Sequence, residues 1–448
     1  MNFKLQIDPA KKRQTMEGFG ASGAWWAQVV GGWEHNREEI ARLLFDKETG
    51  LGLSCYRYNM GGGSKRSGKG SFPNQNRRAD SFDVSDTEYD WSRDAEALWI
   101  LREAVRLGTD EIVFFVNSPP ERFTVTGMAQ AKIPFRANLR RGREADFTRY
   151  VLDVTEHFLA EGIPVRFVSP INEPFGPWIE KAGQEGCHYH PAGMRRLFRL
   201  FAEEMNKRPA LKDVLLSGTE NNDLRLMNKT YTRAVMNDPV IRARLDGVDV
   251  HGYVFQPLRS LKGVKPRFRA YMDKKYPGEK IRMSEWTEMR GGRDLSMTSA
   301  LVQANVMWED LTQLRAVSWQ HWIAVSEVDY CDGLIYINED DKTFEIPKRY
   351  YAFGNFSKFV GHGAVAVETT GDVPQGLRSL AFLQDGRTTV VFINNDEQAH
   401  TAALEGGARE AALYVTSDTQ NLERQSVKTD AVSIPPRSVC TLVFGERA

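Results

Sequence analysis

The chain has 448 residues, too many for one compact core of ordinary size and suited to one large domain plus a small one. Its composition, 41% hydrophobic and 26% charged, is that of an ordinary soluble globular protein and excludes disorder as the default. Lys plus Arg and Asp plus Glu both number 59, so the chain lacks the basic excess that a nucleic-acid or membrane-surface partner requires. The local basic run from Arg136 to Arg143 reads as a solvated loop or helix start.

The first residues, Met1 to Ile7, contain no apolar run of signal-peptide length, and no stretch is long and apolar enough to span a membrane. The expectation is a cytoplasmic protein as the sequence is written, or a secreted one if an export signal has been removed. Phe3–Ile7 alternates like a strand. From Thr15 the chain then alternates short apolar runs with amphipathic stretches, the rhythm of βα units around a parallel sheet. Eight strand candidates follow in order: Thr15–Ser22, Leu53–Met60, Glu111–Asn117, Val165–Pro170, Val214–Gly218, Val248–Tyr253, Lys280–Ser284 and Ala316–His321. Helical periodicity appears over Asp90–Leu107, Glu144–Leu159, His190–Met205 and Ser296–Leu314. Eight strands alternating with helices predict a (β/α)8 barrel over residues 15–359. The competing doubly wound sheet would use Gly18-Phe19-Gly20-Ala21-Ser22-Gly23 as a phosphate turn. No acidic residue closes the following strand at the required distance, and Trp25-Trp26 stand where the helix should open.

After about Phe359 the helical pattern stops. Short alternating runs over Ala364–Glu368, Arg378–Phe382, Thr388–Ile393, Ala412–Val415, Ala431–Ile434 and Val439–Phe444 predict a β-sandwich side domain. That domain is assigned residues 360–448 plus 1–14, Phe3–Ile7 being available to pair with it. The four cysteines, Cys55, Cys187, Cys331 and Cys440, have no CxxC spacing and suggest neither a zinc site nor a disulfide framework.

Two segments carry the chemistry. Ser169-Pro170-Ile171-Asn172-Glu173-Pro174 ends the fourth candidate strand, and Arg282-Met283-Ser284-Glu285-Trp286 ends the seventh. In a barrel the C-terminal strand ends face the active site, so both glutamates are delivered to one pocket. Paired carboxyls of this kind suit glycosidic bond cleavage, where one donates a proton to the leaving oxygen and the other meets positive charge at the sugar carbon. Taken singly, Glu173 also reads as a loop residue capping the next helix, and Glu285 as an exposed edge residue. Their joint placement on two strand ends favours function. Glu288 has similar character and ranks below Glu285.

The Asn-Glu-Pro and Ser-Glu segments, the Gly18-Phe19-Gly20 opening, the barrel followed by a β module and the closing run from Pro435 to Val443 resemble glycoside hydrolase family 30, in the retaining barrel clan. The resemblance covers nearly the whole chain. Within the family, Trp25-Trp26-Ala27 and Gln184-Glu185-Gly186-Cys187 are most similar to endo-β-1,6-galactanases. The resemblance implies a double displacement with Glu285 as nucleophile and Glu173 as acid/base, and a side sandwich completed by an N-terminal strand. Substrates left open are β-1,6-galactan or its oligosaccharides, β-1,6-glucan, glucuronoxylan, and small β-glucosides, β-xylosides or β-fucosides. A reading of another class is a non-catalytic carbohydrate-binding barrel.

The supporting residues follow the same logic. Asn172 is a donor for a substrate hydroxyl. Arg57 either holds a carboxylate ionised or makes a structural salt bridge. His251 and Tyr253 alternate on the sixth strand and face one way, with Tyr253 able to reach Glu285. Trp319 and Trp322 are expected to floor the sugar subsite, Trp178 to line an aglycone subsite, and Trp26 or its neighbour Trp25 to reach the site. His188-Tyr189-His190 has no third ligand at matching spacing and reads as a helix-start loop. No metal and no cofactor are expected. The expected partner is a carbohydrate, without nucleic acid or membrane span, and the oligomeric state is left open.

Overall fold

The computed structural model describes residues 1–225, 227–253 and 263–445. Its contacts divide the chain into two compact units, one built from Gly20–Arg42 and Cys55–Trp286, the other from Met1–Phe19, Leu43–Ser54 and the chain from Thr287 onward.

The parallel strands are β1 (Gly18–Ser22), β2 (Cys55–Met60), β3 (Glu111–Val116), β4 (Val165–Ser169), β5 (Leu215–Leu216 continued by Thr219–Asn221), β6 (Val248–His251), β7 (Ile281–Trp286) and β8 (Ser318–His321), all belonging to one sheet. The two pieces of β5 explain its closure. Leu215–Leu216 pairs with β4, and Thr219–Asn221, two residues on, pairs with β6, so the sheet curls round to meet itself. The strands are buried on both faces, as in-barrel strands must be: β2 reads Cys-Tyr-Arg-Tyr-Asn-Met with all but Asn59 buried. The expected helices stand at Ala95–Arg106, Glu144–Ala160, Pro191–Met205 and Met297–Glu309. The fold is therefore the predicted barrel.

The glycine run of β1 is explained by packing. A Cβ on Gly20 would lie 2.5 Å from the Cys55 carbonyl oxygen, and one on Gly23 1.9 Å from the Tyr56 hydroxyl, so strand approach and not a phosphate demands these glycines.

The second sheet has nine strands, in the order Glu423–Lys428, Glu410–Thr416, Ser438–Gly445, Arg387–Asn394, Leu377–Gln384, Val365–Gly371, Asn2–Thr15, His400–Leu404 and Val432–Ile434. This is the expected sandwich, and the N-terminal strand is part of it: Leu5 stands opposite Gly371 in an antiparallel pair and opposite Leu404 in a parallel one. Phe3 and Leu5 enter a core with Phe392, Leu413, Val432, Ile434 and Leu442. Strands His400–Leu404 and Glu423–Lys428 were not foreseen, the first because two adjacent alanines blur its alternation, the second because its side chains are nearly all polar. A small three-stranded sheet over Val325–Ser326, Ile335–Asn338 and Thr343–Glu345 was also not foreseen. The four cysteines are buried, and none is in a disulfide among the described residues.

Leu5 is fully buried and Lys4 exposed. Leu5→Ala should therefore cost about 2–5 kcal/mol in the unfolding transition that reports the sandwich. Lys4→Thr in the same strand should change it by less than about 0.5 kcal/mol. Equal effects in a denaturant titration would argue against a structural role for the N-terminal strand.

Candidate active site

Strand β4 ends at Ser169, and Glu173 follows in left-handed backbone with φ +43°. Three hydrogen bonds fix that backbone. The Glu173 N–H donates to the Glu220 carbonyl at 2.9 Å, while the Glu173 carbonyl accepts from Gly176 N–H at 3.0 Å and from the Trp178 indole N–H at 2.8 Å. Trp178 is in turn wedged between two glycines: a Cβ on Gly176 would lie 2.2 Å from its ring and one on Gly186 2.4 Å. Strand β7 carries Glu285 inside a bulge. Val250 stands opposite Met283 but His251 opposite Glu285, so Ser284 is the extra residue. The extra residue lets the neighbouring Ser284 and Glu285 side chains enter the same cluster, although neighbours on a regular strand point apart.

The two glutamates meet there. One oxygen of each, with a ring nitrogen of His251, lies within 4.8 Å of the others. Glu285 accepts from Arg57 Nη1 at 2.8 Å on Oε2 and from the Tyr253 hydroxyl at 2.9 Å on Oε1. The Arg57 guanidinium is fully buried over the Phe115 ring. His251 Nδ1 is 3.0 Å from Glu173 Oε1 and 3.5 Å from Glu285 Oε1, and its Nε2 is 2.9 Å from Glu220 Oε2. Burial opposes a charge on the His251 ring. The facing carboxyls of Glu285, Glu173 and Glu220 overcome this and raise it to about 10. Burial likewise raises the Glu173 carboxyl, against the pull of His251. For Glu220, burial acts upward but the Arg57 charge and the His251 ring outweigh it and hold the carboxyl far below the usual range.

Arg57, Tyr253, His251, Glu173 and Glu285 are thus brought together in one network, and Asn172 precedes Glu173 in the chain. Asn172 differs from expectation in detail. One amide N–H is given to Asn117 Oδ1 at 2.9 Å, and its own buried Oδ1 has no hydrogen-bond partner among the described residues, so it offers an acceptor as well as a second donor. His251 is enclosed and positions carboxyls; it is not placed to bind substrate. Three tryptophans are corrected. Trp26 is fully buried with its indole N–H on the Ser22 carbonyl, Trp319 is fully buried with its N–H on Asp310, and Trp178 is 7% exposed with its N–H on Glu173. These rings serve packing and positioning, and none offers a free face. Trp322 is half-buried. Among the described residues, Glu173, His251 and Glu285 form the one group with the spacing of a cation site, and Arg57 and the charged His251 ring already supply its positive charge. His188 and His190 touch each other at 3.3 Å before the helix that starts at Pro191, as the helix-start reading expected.

Sequence reasoning missed Glu220. It sits in a bulge of β5, with Thr219 opposite Asp249 and Asn221 opposite Val250, and has φ +52°. The predicted strand run ends at Gly218, so Thr219-Glu220-Asn221 falls outside it. The available signal was a third glutamate just past a short strand, as for Glu173 and Glu285. Glu185 lies within the Gln184-Glu185-Gly186-Cys187 motif. It is fully enclosed and accepts from Gly62 N–H at 2.7 Å, Ser64 N–H at 3.1 Å and Ser64 Oγ, tying the glycine turn after β2 to the loop after β4.

A barrel holding two carboxyl groups this close, one braced by a guanidinium and a phenol, is built for breaking glycosidic bonds. The comparisons with known proteins agree: the chain is a glycoside hydrolase. Residues 2–238 and 281–336 match O-Glycosyl hydrolase family 30, and residues 363–442 match the glycosyl hydrolase family 30 beta sandwich domain, so the chain belongs to glycoside hydrolase family 30. It is 26% identical over 402 residues to an endo-beta-1,6-galactanase of Hypocrea rufa, covering 82% of this chain and 77% of that one. In fold it is similar to a conserved exported protein from Bacteroides fragilis, with TM-score 0.88, 22% identity and coverage of 98% and 100% of the two chains. It is also similar to the family 30 subfamily 8 xylanase from Clostridium acetobutylicum, with TM-score 0.74, 17% identity and coverage of 99% and 100%. A third similar fold is an endo-beta1,6-glucanase, with TM-score 0.76, 20% identity and coverage of 100% and 94%.

Arg57 is the buried cation beside both Glu285 and Glu220. Arg57→Met should leave two enclosed carboxylates without it and destabilise the protein by about 3–5 kcal/mol in chemical denaturation. A loss below about 1 kcal/mol would mean that the carboxylates do not depend on it.

Proposed function

We propose that the protein is a retaining β-glycosidase that cleaves β-1,6-linked galactan or its oligosaccharides, with Glu285 as nucleophile and Glu173 as acid/base. The observation that carries this reading is the approach of Glu173 and Glu285 oxygens to within 4.8 Å. Retaining enzymes hold their carboxyls roughly 5–5.5 Å apart, whereas inverting enzymes leave room for a water.

The steps follow from the contacts. Glu285, held by Arg57 and Tyr253, attacks the anomeric carbon while the bond to the leaving oxygen breaks. Glu173, whose burial favours the protonated form, gives that oxygen its proton. Once Glu285 is esterified its charge is gone, and Glu173 stays ionised. Glu173 then takes a proton from water, whose oxygen attacks the anomeric carbon and releases Glu285. The unpartnered Asn172 oxygen is a place for a sugar hydroxyl, and half-buried Trp322 is the remaining candidate for stacking on a ring.

Galactan is supported by the galactanase relative, and β-1,6-glucan is the second reading because an endo-beta1,6-glucanase shares the fold. Incubation with β-1,6-galactan, β-1,6-glucan, glucuronoxylan and aryl β-glycosides, with products sized, separates these readings. Oligosaccharides from galactan support the first, activity on glucuronoxylan alone overturns it, and monosaccharide as the sole product overturns endo action. A wild type inert on every β-glycoside would leave a carbohydrate-binding barrel.

Two variants test the roles. Glu285→Gln should lower kcat by several orders of magnitude and retain sugar binding, and proton NMR of the first product formed by the wild type should show the β-anomer. Because Glu173 is raised above its ordinary value of about 4.5, the basic limb of kcat/KM should lie above that pH and disappear in Glu173→Gln. Persistence of the limb would reassign the acid.

A further inference from the structure

We infer that Glu220 is a positioning residue that keeps His251 as an imidazolium, and that this ring fixes which oxygen of Glu173 carries the transferable proton. The inference rests on the assignment of Glu173 as acid/base.

His251 is completely enclosed, and both of its nitrogens face carboxyl oxygens: Nε2 meets Glu220, and Nδ1 meets Glu173 at 3.0 Å and Glu285 at 3.5 Å. A neutral imidazole with its single N–H toward Glu220 could take the Glu173 proton at Nδ1, but it would then turn that lone pair toward Glu285 Oε1 as well. The doubly protonated ring satisfies both sides. Tyr253 stands edge-on to it at 5.9 Å, and Arg57 reaches the same carboxylates from β2. The elevation of the ring to about 10 agrees with the geometry.

Glu220 is fitted to hold that charge and does not touch the reacting atoms. It is 0% exposed. Its Oε1 accepts from Ser217 Oγ at 2.7 Å and lies 3.7 Å from Arg57 Nη2, while its Oε2 accepts from Ser284 Oγ and from His251. Its main-chain oxygen also receives the Glu173 N–H. One residue therefore anchors the acid's backbone directly and its carboxyl through the ring.

The consequence concerns the proton. Glu173 Oε1 accepts from His251 Nδ1–H, so the acidic hydrogen is placed on Oε2. The ring Nδ1 is within 3.5 Å of both the Glu173 and Glu285 Oε1 atoms, and donation from it competes with those oxygens sharing one proton. After transfer to the leaving group, the same cation stands beside the new Glu173 carboxylate.

The test uses the full chain with 15N-labelled histidine and the variants Glu220→Gln and Glu220→Asp, His251→Asn identifying the signal among eight histidines. In the wild type the His251 ring nitrogens should read as imidazolium through about pH 9. In Glu220→Gln the ring should lose its proton at a lower pH than in the wild type, and Glu220→Asp should restore the charged form toward the wild-type range. With alkyl β-galactosides, which need protonation of the leaving oxygen, Glu220→Gln should lose about 10²-fold in kcat/KM, but less than about 10-fold with 2,4-dinitrophenyl β-galactoside. A neutral His251 in the wild type at pH 7 would overturn the proposal. So would equal losses on both substrates, which is what a purely structural role predicts. If the wild type cleaves neither substrate, the glycosidase reading fails, while the ring spectrum still decides the Glu220–His251 pairing. The wild-type spectrum also stands if Glu220→Gln does not fold.

Discussion

The structure depends on keeping five ionisable side chains charged or poised out of water: Arg57, Glu173, Glu220, His251 and Glu285. Any one of them buried alone would cost several kcal/mol. Together they nearly cancel, two cations against two carboxylates and a third carboxyl whose burial favours the neutral acid. The contacts form one connected chain, from Arg57 to Glu285 and Glu220, and from Glu220 through His251 to Glu173. A barrel suits such a set because its members come from different strands or the loops after them, and the sheet fixes their spacing.

Regular strands alone would not supply that geometry. Side chains alternate on a strand, so two adjacent residues cannot serve one cluster without an irregularity. The bulges at Ser284 and Glu220 supply it, one on each side of β6. Glu173 and Glu220 both occupy left-handed backbone, a conformation that costs of order 1–3 kcal/mol for a non-glycine residue and persists where surroundings enforce it. The enforcement is visible: the hydrogen bond between the Glu173 amide and the Glu220 carbonyl joins the two strained residues.

These irregularities also mark where the sequence stops being legible. Barrel and sandwich were readable because their periodicities switch from helical to alternating near Phe359, and Glu173 and Glu285 because each closes an apolar run. Tyr253 and Arg57 were readable as polar residues in buried strands. Glu220 was not, since a bulge after a two-residue strand piece has no pattern of its own. The tryptophans misled for a different reason. A Trp near a strand end has the same local sequence whether its face is open or, like Trp26 and Trp319, wholly enclosed. Which of the two occurs is decided by packing that the local pattern does not show, as with Trp178, whose seat depends on Gly186.

That last pair gives the Gln184-Glu185-Gly186-Cys187 segment a physical meaning. Gly186 makes room for the Trp178 ring, whose N–H fixes the Glu173 carbonyl, and Glu185 binds the Gly62 and Ser64 amides. The segment therefore shapes the site by holding two loops and the Glu173 backbone. None of its contacts requires a particular sugar. Proteins named as xylanase and β-1,6-glucanase share this fold at 17% and 20% identity, which fits a division of labour between a frame that sets reactivity and loop surfaces that choose the substrate. The resemblance of this segment to galactanases then bears on how these loops are braced, and among the described residues Asn172, whose Oδ1 has no hydrogen-bond partner there, is a side chain that keeps a polar atom open.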